Sequence, residues 1–258
     1  MLPKQGILNL YKRFGETPIE RLFRLKREDP SYADTVLSYV GRLDPMAEGV
    51  LLVVLGEENK NREKYLSFSK EYVAEILWGF ETDSYDLLGM VTKEVFFEAS
   101  KEFELKIETE VGKLIFEAEQ AYPPYSSKTV EGKALWQWAR EGKISEISIP
   151  TREINIESVF VISHNLIRGG VLKETIEAKI AKAKGNFRQK EILGRWQKAL
   201  KGREEEVFLS ATISFAVSSG TYIRGLAHTL GQRLGSGGMV LSLIRTRVGE
   251  YVLEEALP

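Results

Sequence analysis

One carboxylate in the sequence has neighbours that suit a reactive group. Asp44 lies between Leu43 and Pro45 in G-R-L-D-P-M-A-E-G (residues 41–49, here called the aspartate loop), and the apolar run Val50–Leu55 follows. Proline restricts the preceding residue to extended backbone, and a short Val- and Leu-rich run is typical of a strand buried on both faces. Asp44 is therefore predicted to lie in a stiff loop before a core strand, where a carboxylate is a candidate reactive group. The same pattern also fits an aspartate that only forms a turn.

Two further candidates stand at the ends of predicted strands. Tyr72 lies at the start of the β-rich segment 71–79, and Arg224 ends the segment G-T-Y-I-R, which follows the alternating pattern of Val207–Ser218 and begins a predicted helix. A cation in the first turn of a helix opposes the helix dipole. Arg224 is therefore expected to point at an anion, for which a buried aspartate is a suitable partner, although the local pattern also fits a surface arginine.

Composition excludes several kinds of chemistry. The 258 residues include no cysteine and only two histidines, which excludes disulfide frameworks, zinc–thiolate sites and cysteine nucleophiles, and makes a Ser-His-Asp triad a poor fit. Hydrophobic residues make up 43% and charged residues 28%, which is sufficient for a sizeable core. The sequence begins without a signal-peptide pattern, and no apolar run approaches the roughly 20 residues that span a bilayer. We expect a soluble, cytoplasmic protein that does not bind membranes.

The charge of the chain is balanced overall but unevenly distributed. The formal net charge of −1 does not by itself indicate a nucleic-acid-binding protein. Glu81–Glu119 carries 11 acidic residues against 4 Lys and Arg, whereas Val171–Glu205 carries 10 Lys and Arg against 5 acidic residues. A segregated basic segment can follow the phosphates of a nucleic acid, and it can equally be a solvated helix surface.

The elements that position these residues mix without a strict βαβ rhythm, which favours an α+β fold. The best-defined helix begins after Thr17, where a proline and Glu20 complete the pattern of a capping box. Further helices are predicted at 100–112, 132–142, 220–235 and, with a break at 185–186, within 171–203. Strands are predicted at 6–11, 50–55, 71–79, 113–121, 153–163 and 207–218, with one or two short elements at 239–252. No linker or repeat divides the chain, so we expect one domain over residues 1–258.

Together these segments resemble the motifs of the TruB family of tRNA pseudouridine synthases. The aspartate loop resembles G-x-L-D-P-x-A-x-G, while 70–72, 82–89 and 220–224 resemble K-x-Y, T-D-x-x-D-x-x-G and G-T-Y-I-R. Residues 120–132 resemble Q-x-P-P-x-Y-S-A-x-K-x-x-G with one residue displaced. The resemblance is specific because five motifs occur in the family's order. It implies the pseudouridine synthase catalytic fold, an α+β fold with a central mixed, mostly antiparallel sheet flanked by helices.

The resemblance also implies an activity, the isomerisation of uridine to pseudouridine at position 55 in the T loop of tRNA. Asp44 would be the nucleophile, Arg224 would pair with it and keep it ionised, and Tyr72 would stack on the flipped uracil or act as general base. The implied substrate-binding residues are Tyr39, Gly41, Tyr72, Tyr222 and Leu243. The resemblance implies no metal and no cofactor, the implied partner is the T arm of tRNA, and we expect a monomer.

The sequence departs from the family pattern in four places. Tyr39 stands where the family has the histidine of H-x-G, so it would have to stack in place of that side chain. The segment 11–15 replaces the family's D-K-P-x-G. The basic segment 171–205 is interpreted as a helical insertion, and the chain stops at Pro258, where many members continue into a C-terminal RNA-binding (PUA) domain. We therefore expect deletion of the basic segment to weaken tRNA binding and to flatten its salt dependence.

Two other functions fit parts of the sequence. A non-catalytic RNA-binding or RNA-folding protein on the same scaffold would not need Asp44, and the change at Tyr39 favours that alternative. A retaining glycosidase would need a second carboxylate about 5 Å from Asp44, for which no motif nominates a residue and Glu48 is the neighbouring candidate. Asp83 and Asp86 could suggest a metal site, but no further cluster of ligands accompanies them in the sequence.

Overall fold

A computed structural model describes residues 5–258, and the first four residues of the predicted domain 1–258 lie outside the described residues. The fold is α+β, as predicted, with one eight-stranded sheet and seven α-helices within the described range. The strands are β1 (Gly6–Lys12), β2 (Leu37–Val40), β3 (Ala47–Leu55), β4 (Lys70–Trp78), β5 (Phe80–Thr82), β6 (Val91–Glu94), β7 (Glu119–Ala121), β8 (Thr129–Val130), β9 (Lys133–Ala134), β10 (Thr151–Glu153), β11 (Ile156–Arg168), β12 (Val207–Val217), β13 (Gly238–Val248) and β14 (Tyr251–Val252). The helices are α1 (Pro18–Glu28), α2 (Arg62–Leu66), α3 (Lys101–Lys113), α4 (Leu135–Arg140), α5 (Gly169–Lys182), α6 (Gln189–Ala199) and α7 (Ile223–Leu234).

The large sheet is mixed and mostly antiparallel, as the resemblance implied. Its strands run in the order β1-β3-β13-β4-β12-β11, with β2 paired to β3 and β14 paired to β13. β3 and β13 are parallel to each other, whereas the other neighbouring strands of this sheet are antiparallel. The last long strand of the chain therefore lies between the strand that follows the aspartate loop and the strand that carries Tyr72.

Both faces of β3 are buried, which accounts for its uninterrupted apolar sequence. Successive side chains of a strand point to opposite faces of the sheet. The odd-numbered residues Leu51, Val53 and Leu55 join the main core, and the even-numbered residues Val50, Leu52 and Val54 join a second, smaller core. A strand between two hydrophobic layers needs apolar residues at every position. The predicted buried strand after Asp44 is confirmed.

The ends of two helices follow the local signals in the sequence. At the start of α1, Thr17 Oγ1 accepts a hydrogen bond from the Glu20 N–H (3.2 Å), and the Glu20 carboxylate accepts one from the Thr17 N–H (2.7 Å). α7 ends at Gly235, whose φ of 67° is left-handed, the conformation for which glycine is favoured. Both predicted boundaries are confirmed. No helix within residues 5–258 combines the length and the apolar character needed to cross a bilayer.

The segment 113–121 is predicted as a strand, and this prediction is wrong over most of its length. α3 continues to Lys113, a 3₁₀ turn follows at Leu114–Phe116, and only Glu119–Ala121 forms a strand. Leu114 is fully buried. Packing of the Leu114 side chain against the core therefore outweighs the local β pattern. Such a pattern depends on the surroundings of the segment more than on an intrinsic preference of the backbone.

Two further predicted elements have different bounds in the structure. The segment 132–142 is predicted as one helix, but it begins with the second strand of the β8–β9 hairpin and is helical only from Leu135 to Arg140. The short elements predicted at 239–252 form mainly one eleven-residue strand, β13. β13 is central to the sheet, so its length is set by pairing with β3 and β4, partners that its own sequence does not identify.

The basic segment forms a helical hairpin, α5 and α6, with a break at 183–188 that includes the predicted one. Its inner side is apolar: Ile176, Ile180, Ile192 and Trp196 are buried in the main core. Trp196 Nε1 also donates a hydrogen bond to the carbonyl of Leu87 (3.2 Å). Deletion of 171–205 would therefore uncover the core, and single substitutions are the sounder test of any RNA contact made by this hairpin.

Gly49 allows β3 and β13 to approach each other closely at the end of the aspartate loop. Its φ is +103°, and a Cβ at this position would lie 2.3 Å from the backbone carbonyl oxygen of Arg245. Glycine adopts positive φ at little steric cost and leaves the space open. The final glycine of the aspartate motif is thus required by the parallel pairing of these two strands.

We expect Gly49→Ala to destabilise the protein far more than an alanine with positive φ in open space. Gly142→Ala is the matched control, because Gly142 has a φ of +71° and a Cβ there would meet nothing within 4 Å. The control should lose about 1–2 kcal/mol of unfolding free energy, and Gly49→Ala clearly more. Urea denaturation measures both losses. Equal losses would contradict the close approach as the reason for this glycine.

Candidate active site

A cavity of about 610 Å³ opens beside the aspartate loop, within the size range of ligand-binding clefts. Its walls combine side chains that are far apart in the sequence and come from at least five segments of the chain. Six of the seven residues predicted for the site line this cavity: Gly41, Asp44, Tyr72, Tyr222, Arg224 and Leu243. The fold therefore brings the separate motifs of the sequence to one place.

Tyr39 is the seventh predicted residue, and within the described part of the chain it is not among those that line the cavity. It pairs with Val53 between β2 and β3, and its half-buried side chain packs against the main core. Its neighbour Val40 faces the second core on the other side of the sheet. The register of β2 fixes these directions, so the structure does not bring Tyr39 to the cavity, contrary to the expectation that it stacks there.

Asp44 and Arg224 form an ion pair at the cavity. Arg224 Nε donates to Asp44 Oδ2 at 2.7 Å. The Arg224 side chain is 3% exposed and the Asp44 side chain 30% exposed, so a buried guanidinium holds a carboxylate that remains open to the cavity. Burial acts to lower the pKa of Arg224, but the charges of Asp44 and Asp86 outweigh it and raise that pKa above its ordinary value. The guanidinium is therefore charged at any physiological pH.

The remaining donors of Arg224 connect the ion pair to two other segments. Nη1 donates to the backbone carbonyl of Ser84, and Nη2 donates to the carbonyl of Tyr125 at 3.3 Å. Asp86 Oδ2 lies 3.4 Å from Nε and forms a second ion pair. A guanidinium has five N–H donors in a fixed fork, and here it joins the aspartate loop, the turn after β5 and the segment before β8.

Asp86 is a site residue that the motifs contained but that the sequence reasoning did not assign. Its buried carboxylate accepts hydrogen bonds from the Ser84 hydroxyl (2.8 Å) and the Leu88 N–H (2.9 Å). Burial raises the pKa of Asp86 to about 6, against the opposing effect of Arg224. The available signal was the second aspartate of T-D-x-x-D-x-x-G, because a buried charge must be paired and its remaining groups hydrogen-bonded.

Asp83 and Asp86, the two aspartates that could suggest a metal site, are each engaged by an arginine. Asp83 pairs with Arg188 at 2.8 Å, and Asp86 pairs with Arg224. Within residues 5–258 no group of three or more His, Asp or Glu side chains is arranged to hold a metal ion. The two aspartates of this motif therefore serve two different arginines.

Two buried cations hold the backbone of the aspartate loop and of the strand that follows it. Lys12 Nζ donates to the carbonyl of Ala47 at 2.5 Å. Arg245 Nε donates to the carbonyl of Val50 at 2.8 Å, and its Nη2 donates to that of Gly41 at 3.0 Å. Burial lowers the pKa of Lys12 to about 8. Sequence reasoning did not identify either cation, because each lies on a different strand from the loop and only the sheet brings them together.

Tyr72, Leu243 and Tyr222 belong to the apolar part of the cavity wall. Tyr72 on β4 and Leu243 on β13 lie on neighbouring strands and are 8% and 5% exposed. Tyr222 precedes α7, and Gln120 holds its backbone through two hydrogen bonds of 2.9 Å. Burial, and next the charge of Asp44, raises the pKa of Tyr222. Its hydroxyl is therefore protonated at neutral pH.

Cationic side chains surround this apolar wall. Those that line the cavity in addition to Arg224 and Arg245 are Arg42, Lys70, Arg140, Arg152 and Arg188. Burial, followed by the charges of Arg245 and Arg152, lowers the pKa of Lys70 to about 8. A cluster of cations around an aromatic cleft favours an anionic ligand that also carries a flat apolar group.

Comparison with known proteins identifies one family. Residues 34–187 match the model of the TruB family pseudouridylate synthase (N terminal domain). The chain is 30% identical over 250 residues to tRNA pseudouridine synthase B of Fusobacterium nucleatum, covering 97% of this chain and 70% of that protein. It is 28% identical over 223 residues to tRNA pseudouridine synthase B of Clostridioides difficile, covering 86% of this chain and 59% of that protein. The chain thus spans between 59% and 70% of the length of these two relatives.

Solved structures of similar fold agree with the predicted fold class. A chain from the crystal structure of a Cbf5-Nop10-Gar1 complex has a TM-score of 0.53 at 20% identity, over 96% of this chain and 50% of that chain. A chain from a structure of an H/ACA RNP bound to a substrate RNA containing 2'-deoxyuridine has a TM-score of 0.51 at 20% identity, over 98% of this chain and 50% of that chain. At this identity the similarity concerns the fold alone, and this chain spans about half the length of each matched chain.

We expect Asp86 to make the stability of the protein depend on pH. The folded protein keeps the Asp86 proton up to about pH 6, whereas the ordinary pKa is 3.8. Below pH 3.8 both states hold this proton, and its contribution to stability is lost as the pH rises through 6. Asparagine at this position cannot ionise, so the variant does not undergo that loss. The unfolding free energy of Asp86→Asn minus that of wild type should therefore rise by about 1–3 kcal/mol between pH 4 and pH 7, whatever its value at pH 4.

Urea denaturation at several pH values tests this expectation, with Asp34→Asn as the control because Asp34 is an exposed carboxylate outside the cavity. Asp34→Asn gives the effect of the same carboxylate-to-amide change outside the cavity. A difference between Asp86→Asn and wild type that does not change with pH would contradict the raised pKa of the buried carboxylate.

Proposed function

Because the chain belongs to the TruB family of pseudouridylate synthases, we propose that it converts uridine to pseudouridine at position 55 in the T loop of tRNA. The observation that carries the proposal is the Asp44–Arg224 ion pair beside a cavity with an aromatic wall and cationic surroundings. The relatives are named tRNA pseudouridine synthase B, and one structure of similar fold is bound to a substrate RNA.

The reaction moves the ribose from one atom of uracil to another. The bond between C1′ and N1 breaks, a bond between C1′ and C5 forms, N1 gains a proton and C5 loses one. Asp44 is the proposed nucleophile, attacking either the sugar C1′ or the base, and a covalent intermediate divides the reaction into two easier steps. Its carboxylate is accessible from the cavity, with 30% of the side chain exposed.

Arg224 is proposed to pair with Asp44 and to orient its carboxylate. A charge-assisted hydrogen bond of 2.7 Å fixes one carboxylate oxygen. Because Arg224 is itself held by the carbonyls of Ser84 and Tyr125, its fork has one orientation in the folded protein. The direction of the Asp44 carboxylate therefore depends on two segments that contribute no acid or base to the reaction.

Tyr72 and Leu243 are proposed to receive the uracil, with Tyr72 stacking on it or acting as the general base that removes the C5 proton. A base must leave its stack to reach such a cavity, which costs a few kcal/mol and is offset by contacts with aromatic side chains. Bases in RNA loops are the easiest to extrude. Arg42, Arg140 and Arg152 around the cavity suit the phosphates on either side of the flipped nucleotide.

The glycosidase alternative has little support. Glu48 accepts a hydrogen bond from the Tyr11 hydroxyl (2.9 Å) and, within the described residues, is not part of the cavity lining. Asp86 lies near Asp44, but its buried carboxylate binds the same guanidinium. A retaining glycosidase needs a second carboxyl group that is free to act on the substrate. Asp86 lines the cavity, but its carboxylate is engaged by Arg224, the Ser84 hydroxyl and the Leu88 N–H.

The alternative of a non-catalytic RNA-binding protein accounts poorly for the ion pair. Burying a guanidinium is costly unless it is fully paired. A surface that only binds RNA gains nothing from a carboxylate directed at the RNA. The buried Arg224 that aims Asp44 at the cavity therefore favours catalysis.

The proposed nucleophile is tested by tritium release from a tRNA transcript labelled at uridine C5. Wild type should release tritium, whereas Asp44→Asn should lose at least about a thousandfold in rate while still binding the transcript. Asp34→Asn should behave like wild type. A transcript labelled at its other uridines but with cytidine at position 55 should release no tritium. Wild-type binding without release would favour the RNA-binding alternative.

Arg224→Lys tests whether orientation, and not charge alone, is required. Lysine keeps the positive charge but loses the planar fork that reaches Asp44, Ser84 and Tyr125 together. The turnover number should fall about a hundredfold, with a smaller change in KM. Arg233→Lys, on the same helix but outside the cavity, is the control and should retain activity. Full activity of Arg224→Lys would mean that charge alone suffices.

A further inference from the structure

The turn between α5 and α6 reaches the cavity, although nothing in the proposed mechanism uses it. Asn186, Phe187 and Arg188 line the cavity, while the helices on either side of them pack into the main core. The hairpin therefore does two things: its helices cover the core, and the turn at 183–188 forms part of the wall of the proposed RNA site.

Arg188 anchors this turn to the site. Its Nη1 and Nη2 donate to the Asp83 carboxylate at 2.8 and 3.3 Å, and its guanidinium lies 4.6 Å from the centre of the Tyr125 ring. The Tyr125 hydroxyl donates to the same carboxylate at 3.1 Å. Because the Tyr125 carbonyl accepts a hydrogen bond from Arg224, Arg188 is connected through one residue to the guanidinium that orients Asp44.

The backbone of Arg188 also indicates a position held by its surroundings. Its φ is +63°, a left-handed conformation that non-glycine residues seldom adopt. Such a conformation persists where neighbouring contacts determine it, and it is frequent at functional sites. Here the ion pair with Asp83 and the contact with Tyr125 supply those contacts.

A second anchor joins the turn to the aspartate loop. The Lys184 N–H donates to the carbonyl of Gly15 at 2.9 Å, and the Gly15 N–H donates to the carbonyl of Pro45 at 2.8 Å. A Cβ on Gly15 would lie 2.2 Å from the carbonyl oxygen of Lys182. The turn is therefore packed against the segment that supports the residue next to Asp44.

Phe187 differs from the apolar residues of α5 and α6 because its ring does not pack into the hydrophobic core. It is half-buried and lies over Gly185, where an added Cβ would be 3.0 Å from the ring. Within the described residues it is absent from both apolar clusters, yet it lines the cavity. An aromatic ring held at the edge of a cationic cleft suits a nucleobase, since every base has a flat face that stacks on such a ring.

We propose that the turn 183–188 is a nucleotide-binding wall of the cleft, in which Phe187 contacts an unstacked base of the RNA. Arg188 is a positioning residue that holds this turn and Tyr125 in place through Asp83. The inference rests on the proposed function for the identity of the RNA. The ligand class it assigns to Phe187 is a single-stranded nucleobase beside the reacting uridine.

The test of Phe187 separates substrate binding from chemistry. Phe187→Ala should raise the KM for a T-arm stem-loop about tenfold, as expected for the loss of one stacking contact, with kcat within about threefold of wild type. Phe187→Trp should restore KM, because it keeps a stacking surface. Phe116→Ala is the matched control, since Phe116 is 84% exposed and lies outside the cavity. An unchanged KM for Phe187→Ala would overturn the proposal.

The test of Arg188 uses a double-variant cycle with Asp83. Arg188→Gln and Asp83→Asn should each lower kcat about tenfold, and the double variant should be no worse than the poorer single variant, because both changes break one connection. Arg27→Gln, an exposed arginine on α1, controls for the loss of one positive charge. Losses that multiply in the double variant, or an equal loss in Arg27→Gln, would overturn the positioning role.

Affinity for an unlabelled T-arm stem-loop distinguishes failure of this inference from failure of the proposed function. If wild type binds the stem-loop without isomerising it, the proposed function fails, and a tenfold weaker Kd of Phe187→Ala still supports the binding wall. If wild type is active and Phe187→Ala has the Kd of wild type, the binding wall is wrong and the proposed function stands. Thermal melting of each variant shows whether it is folded.

Discussion

The buried guanidinium of Arg224 is the constraint around which the rest of the site is arranged. A charged group removed from water must be compensated by opposite charge and by acceptors for its N–H groups. Arg224 meets this requirement with two carboxylates and two backbone carbonyls, from Asp44, Asp86, Ser84 and Tyr125. The aspartate loop, the turn after β5 and the segment before β8 therefore converge because one cation needs all of them.

The sheet supplies the rigidity that this arrangement needs. β13 lies between β3 and β4 and carries Leu243 into the cavity wall, and it also carries Arg245, which binds the backbone on either side of Asp44. Lys12 on β1 holds the loop from the other side. A loop tied to strands at both ends keeps the carboxylate of Asp44, the proposed nucleophile, within a narrow range of positions.

The hairpin of α5 and α6 combines packing of the core with the binding role proposed for its turn. Its inner residues close the main core, and Trp196 fills space next to Phe80. Its turn reaches the cavity and is joined to Arg224 through Arg188, Asp83 and Tyr125. Because the helices are fixed by packing, the turn is presented from a rigid support, an arrangement that lowers the entropic cost of ordering a binding surface.

Local patterns in the sequence were sufficient to predict an element or its end wherever the interactions that form it join residues close together in the chain. The apolar run of β3, the capping box at Thr17 and the glycine that ends α7 all identify themselves in this way. The aspartate loop and the G-T-Y-I-R segment also identified a carboxylate and an arginine as candidate partners, because a cation in the first turn of a helix calls for an anion.

Tertiary structure alone decided which distant residues complete the site. Asp83 and Arg188 are separated by 105 positions and Gly41 and Arg245 by 204, so no local periodicity relates them. Strand register turned Tyr39 away from the cavity, and burial of Leu114 replaced a predicted strand with a turn. Secondary structure is largely a local property of the chain, whereas the partner of a buried charge is set by the pairing of strands and the packing of helices across the whole fold.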